Sequence, residues 1–125
     1  MSTSPPPSDL EHLRDLMRTF AHERDWDQFH SPKNLAMALS VEAAELLEPF
    51  QWLRSGDVEE LTPASRESAR EEMADVLLYL VRLADKLDVD LFEAAVVKMQ
   101  INRHKYPAEL VKGDARKSTN YPGRL

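Results

Sequence analysis

Two pairs of acids stand where apolar residues would be expected. Placed on a helical wheel at about 100° per residue, Leu35, Leu39, Leu46, Phe50 and Leu53 fall on one stripe. Glu42 lies in the middle of that stripe and Glu45 at its edge. Further on, Ala69, Val76, Leu83 and Leu87 share a second stripe, with Glu72 inside it, Asp75 flanking it and Tyr79 four residues after Asp75. An inward carboxylate is costly unless it is paired or bound to a cation, and four of them cannot all stay ionised together without positive charge. One reading is a buried salt-bridge network, for which Arg82 and Lys86 are the nearest bases. The other is a divalent cation held by Glu42, Glu45, Glu72 and Asp75. Stripes so poor in bases favour the cation, and an all-oxygen donor set suits Mg²⁺, with Mn²⁺ as a substitute. A di-iron bundle would ask for Glu-x-x-His pairs. None of His12, His22, His30 and His104 follows an inward glutamate at that spacing, so iron and zinc fall behind.

Further polar groups share helical faces. Lys98, Asn102 and Tyr106 recur at i, i+4 and i+8, where a lysine and an amide can grip a phosphate chain. They also suit a solvated helix end, where bases favour the dipole. Lys33 and Asn34 offer a similar choice at the start of another helix.

The elements that must carry these residues read as helices throughout. Ser8-Asp9-Leu10-Glu11 is a capping box, and the apolar spacing after it predicts helix to about Arg24. Ser31-Pro32 opens the second helix, which the periodicity carries to about Leu53, with Pro49 kinking it or shifting its last turn. Val58 to Leu61 is a short helical turn. Thr62-Pro63 opens the third and longest helix, to about Leu87. Asp90 with Glu93 caps a fourth, ending near His104 ahead of Pro107. No stretch alternates with period two, so the fold class is all-α, a four-to-five-helix bundle. The expected organisation is a disordered lead at 1–8, one domain at 9–112 and a flexible tail at 113–125.

The chain has 125 residues, a formal net charge of −6 and no cysteine. That length suits one domain. The missing cysteines remove disulfides and thiolate chemistry, and fit a reducing cytoplasm. The acidic balance argues against a nucleic-acid polymer as partner, and no apolar run approaches the roughly 18 residues of a membrane span. Residues 76–84 are apolar nearly all round, more than one core face needs, so an oligomer is expected.

Glu42-x-x-Glu45 followed by Glu72-x-x-Asp75 resembles the metal motif of the MazG-like, all-α nucleotide pyrophosphohydrolases. The segments 23–30 (ERDWDQFH), 32–35 (PKNL), 50–52 (FQW), 75–81 (DVLLYLV) and 102–107 (NRHKYP) resemble their dCTP pyrophosphatase branch. The likeness covers roughly Leu13 to Lys117. It implies an enzyme that cuts a nucleoside triphosphate between the α and β phosphates, with Mg²⁺ on the four carboxylates and assembly as a dimer or tetramer. It also implies a base and sugar pocket made by Trp26, Asp27, Gln28, Phe29, His30 and Trp52, with Tyr79 as a substrate tyrosine. Lys33, Lys98 and Asn102 are then carried as phosphate contacts, and Glu45, at the stripe edge, as the carboxylate that takes the water's proton. The position of a helix 1 histidine found in some members is Met17 here. The expected substrate is dCTP or a modified dCTP, in nucleotide-pool housecleaning. The alternatives are the same chemistry on dUTP or several dNTPs, or a non-catalytic helical interaction protein.

Overall fold

Four side chains start the four long helices. The Ser8 hydroxyl accepts from the Glu11 N–H at 3.2 Å, Ser31 from Asn34 at 3.2 Å, Thr62 from Ser65 at 3.1 Å, and the Asp90 carboxylate from Glu93 at 3.0 Å. Each satisfies an amide that the first helical turn would leave unpaired. Pro32 and Pro63 follow two of these caps, where a missing N–H costs nothing. The computed structural model describes residues 5–116 and 118–120, so the expected lead and tail lie partly outside the described residues. It gives α1 (Asp9–Glu23), α2 (Pro32–Leu47), α3 (Pro63–Lys86), α4 (Leu91–Lys105) and α5 (Ala108–Val111). Short 3₁₀ turns lie at Asp27–Phe29, Val58–Glu60 and Ser118–Asn120. Among the described residues there is no strand, and the fold is all-helical.

Two expectations at helix ends need correction. α2 stops at Leu47 and does not reach Leu53. Pro49 has no N–H to give and its ring excludes the carbonyl of Glu45, and the Glu48 N–H takes that carbonyl instead at 3.1 Å. Phe50, Trp52 and Leu53 therefore leave the helical stripe and lie in turns and the loop that follows. Leu87 is the C-cap of α3 and is exposed, not part of the inward stripe. Within the expected tail, 3₁₀ structure forms at Ser118–Asn120.

α1 and α3 end alike. At α1 the Trp26 N–H reaches the Ala21 carbonyl and the Asp25 N–H that of His22; at α3 the Val89 N–H reaches Ala84 and the Asp88 N–H that of Asp85. These are Schellman closures. In both, aspartate rather than glycine holds the left-handed residue, at φ 54°.

The chain forms two compact units, the first ending at Val89 and the second starting at Asp90. In the first unit α3 is central, and α1 and α2 both pack on it. Ala21, Leu35, Ala69, Val81 and Ala84 are buried, Leu35 being the largest at 1% exposure. Three of the five are alanines, whose small side chains allow the helices close approach. In the second unit α4 buries none of its residues, and Phe92, Val96, Val97, Met99 and Ile101 are all exposed. No helix among the described residues is long and apolar enough to cross a membrane.

Candidate active site

The inward acids of α2 and α3 meet. Glu42, Glu45 and Glu72 each bring a carboxylate oxygen within 4.8 Å of the others. One oxygen each of Glu42 and Glu72 (Oε2) is fully buried and has no hydrogen-bond partner. Asp75 lies outside this group of three, but its charge acts on Glu42 and Glu72. Withdrawal from water pushes the Glu42 carboxyl up to about 7, helped by the close carboxylates of Glu72 and Glu45 and by the charge of Asp75. Burial also raises Glu72, as do the charges of Glu45 and Asp75. Buried carboxylate oxygens without a partner are rare, because each forfeits its hydration. All the donors are oxygens, the set a hard divalent cation prefers. The residues present therefore fit Mg²⁺ or Mn²⁺.

The bases that could have neutralised these acids are engaged elsewhere. Arg82, 4% exposed, donates from its Nη2 to Asp27 at 2.7 Å, from Nε to His30 Nδ1 at 3.1 Å and from Nη1 to Asp85 at 3.4 Å. Lys86 also pairs with Asp27. Arg18 of α1 grips Asp85 in a two-pronged contact, at 2.7 and 2.5 Å. Among the described residues no lysine or arginine pairs with Glu42, Glu45, Glu72 or Asp75. The salt-bridge alternative thus fails for the acid cluster: those bases tie α1 and the 3₁₀ turn to α3. Hydrogen bonding to Lys86 holds Asp27 below the usual carboxylate range, and the hydrogen bond to Arg18 does the same for Asp85. A cavity of about 500 Å³, lined by Arg18, His22, Asp27, Arg82, Asp85 and Lys86, opens beside these pairs.

The residues expected to hold a nucleotide are divided by the fold. Trp26 packs edge-on against Phe20, centroids 5.5 Å apart, and against His30 at 6.4 Å. Asp27 and His30 are fastened to α3 through Arg82. Gln28 turns back on Asp25, donating to its carbonyl at 3.0 Å and its carboxylate at 3.1 Å. Phe29 is exposed, and its carbonyl accepts from Asn34 at 2.9 Å. Lys33 is exposed in the first turn of α2. Trp52 is 86% exposed, so it is no core residue. Tyr79 is half-buried on α3, one turn beyond Asp75. Lys98 and Asn102 belong to the second unit, on α4.

A family model described as the MazG-like family matches residues 37–120. The chain belongs to the MazG-like family. It is 48% identical to dCTP pyrophosphatase 1 of Homo sapiens over 123 residues, 97% of this chain and 72% of that protein. It is 46% identical to the Rattus norvegicus protein of the same name, again over 97% of this chain and 72% of the relative. The crystal structure of a pyrophosphatase from Archaeoglobus fulgidus is similar at a TM-score of 0.75 and 43% identity, over 85% of this chain and 99% of that one.

Sequence reasoning on this MazG-like chain missed two devices. The Arg82 hub was visible only as spare positive charge. Its signal is the spacing of Arg82 and Lys86, seven and eleven residues after Asp75 on one side of α3. The second device is Glu60, whose carboxylate accepts from the N–H groups of Arg54 (2.9 Å), Ser55 (2.5 Å) and Gly56 (2.9 Å), and from the Ser55 hydroxyl. These donors, the Ser55 hydroxyl foremost, hold its carboxyl down at about 2, and Gly56 supplies the φ of +76° that the turn requires. No local motif announces it.

Proposed function

We propose that this chain hydrolyses a deoxynucleoside triphosphate, dCTP or a modified dCTP foremost, to the monophosphate and pyrophosphate. The observation that carries the reading is the trio Glu42, Glu45 and Glu72 with its two unpartnered buried oxygens. The relatives named dCTP pyrophosphatase 1 support the substrate. Glu42, Glu45 and Glu72 would hold Mg²⁺, with Asp75 completing the charge around it. Bound there, the cation would neutralise the triphosphate and polarise a water for in-line attack on phosphorus.

The side chains supply the rest. A carboxylate oxygen left over by the cation takes the water's proton, and Glu45 has that role. No covalent nucleophile is required. α3 rises 1.5 Å per residue, so Asp75 and Arg82 are about 10 Å apart along its axis, with Tyr79 between. That span suits a nucleotide lying with its phosphates at the acids and its base toward Trp26 and His30. Trp52, exposed in the loop after α2, is available to stack on a base. Phe29, Gln28 and Asp27 belong to the same wall, while Lys33 is a phosphate contact. The enzyme works as a homo-oligomer in the cytoplasm, guarding the nucleotide pool.

Product analysis decides the reading. With a panel of dNTPs and Mg²⁺, dCTP should yield dCMP and pyrophosphate, chelator should stop the reaction, and Mg²⁺ or Mn²⁺ should restore it. Preference for dUTP, or equal use of several dNTPs, would move the substrate and keep the chemistry. Release of orthophosphate, or no turnover of any dNTP, would overturn the proposal.

A further inference from the structure

Arg82 is the one buried charged side chain among the described residues. Its guanidinium is buried, yet it touches no acid of the cluster. It spends its donors on three groups: Asp27 and His30, which flank and form part of the 3₁₀ turn after α1, and Asp85 on its own helix. The contact with His30 has a chemical consequence. A guanidinium has only N–H donors, so a ring nitrogen that receives one must be a bare acceptor. His30 Nδ1 is that acceptor. The imidazole is then neutral and its one proton resides on Nε2. Burial first, then the charges of Arg82 and Lys86, hold the His30 pKa below its ordinary value against the opposing pull of Asp27, in keeping with a neutral ring. No described residue accepts a hydrogen bond from Nε2.

Resting on the nucleotide reading above, we propose that Arg82 is a positioning residue for the substrate pocket. It fixes His30 as the Nε2–H tautomer, and through Asp27 it clamps the turn that carries Trp26, so that this wall offers a nucleotide one directed N–H donor beside an aromatic edge. Three features of the geometry converge on this role. Arg82 reaches across 52 and 55 residues of chain to His30 and Asp27. The Trp26 and His30 rings meet at 66°, so a rotation of the imidazole disturbs the indole. Lys86, one turn on, seconds the hold on Asp27 but makes no bond to His30. Loss of Arg82 would therefore free the tautomer while leaving part of the clamp.

The first test needs no variant. In ¹⁵N-labelled wild-type protein at neutral pH, long-range ¹H–¹⁵N spectra should give His30 the signature of a protonated Nε2 and a bare Nδ1. An Nδ1–H tautomer or an imidazolium overturns the inference. The second test is kinetic. Arg82→Lys keeps a positive charge between Asp27 and Asp85, which protects the fold, but a single ammonium cannot reproduce the three-way fork. KM for dCTP should rise about ten-fold, the size of one misdirected hydrogen bond, while kcat stays nearly level. In a His30→Gln background, where a side-chain amide can turn to donate without help, the same Arg82→Lys change should shift KM less than about two-fold. Independent, multiplying effects of the two substitutions overturn the inference, as does a loss confined to kcat. The readouts separate the two claims: failure to hydrolyse any dNTP sinks the nucleotide reading, whereas a wrong tautomer sinks only the role of Arg82.

Discussion

At the scale of single residues, ionising the acid cluster should cost the metal-free fold stability. The Glu42 carboxyl rises from 4.5 to about 7 because burial and its acidic neighbours oppose its charge. As pH climbs through that window, the unfolded chain releases the proton while the folded chain retains it. Stability of the metal-free protein should therefore fall between about pH 4.5 and pH 7 and level off above. Melts in chelator across this range should show a declining Tm. Glu42→Gln should flatten the decline, raise the Tm at neutral pH, and abolish both Mg²⁺-dependent stabilisation and turnover. An unchanged pH slope, or surviving activity, would contradict the account. Mg²⁺ should raise the wild-type Tm more at high pH than at low pH, since it competes with the proton.

At the scale of elements, the helix ends repay attention because both closures flanking the pocket use aspartate in a left-handed conformation. An L side chain there meets steric cost that glycine avoids. Asp88 makes no side-chain bond among those described, unlike Asp25, which Gln28 engages. Asp88→Gly should therefore stabilise by about 0.5–1 kcal/mol. For a domain of this size that is roughly 2–4 °C in Tm by calorimetry. The same change at position 25 should gain less, because it also frees Gln28. Equal gains at both sites would mean that the Gln28 contact contributes nothing. α2 teaches a related lesson: its apolar stripe extends to Leu53, but the helix stops before Pro49, and Trp52 gains its exposure from that break.

At the scale of the whole molecule, the balance of apolar surface points to assembly. Met73, Leu77 and Leu80 on α3, Met37 and Val41 on α2, and the apolar residues of α4 are exposed in the single chain. Isolated soluble chains seldom leave so many large apolar side chains in water. Light scattering at micromolar concentration should give a mass at least twice the chain's, and Leu77→Glu with Leu80→Glu should shift it toward one chain. A monomeric wild-type protein would overturn this expectation.

Much of this protein is written in local sequence. The N-caps Ser8, Ser31, Thr62 and Asp90 announce their helices because a cap needs only its own next three residues. The pairs Glu42/Glu45 and Glu72/Asp75 are legible because an acid inside an apolar stripe violates a short-range period. Pro49 carried the signal for the end of α2, and the longer apolar period masked it. What local pattern could not supply is partner choice. Arg82 and Lys86 are closer in sequence to the acids of α3 than to Asp27, but they bond across 55 and 59 residues to it. That choice depends on how α1 and its turn pack against α3, and so does the loneliness of Glu42 and Glu72. Helix periodicity decided which acids turn inward; only the packing of three helices decided that no base would meet them there, because a charge is neutralised by what lies within a few ångströms and not by what is near in the chain.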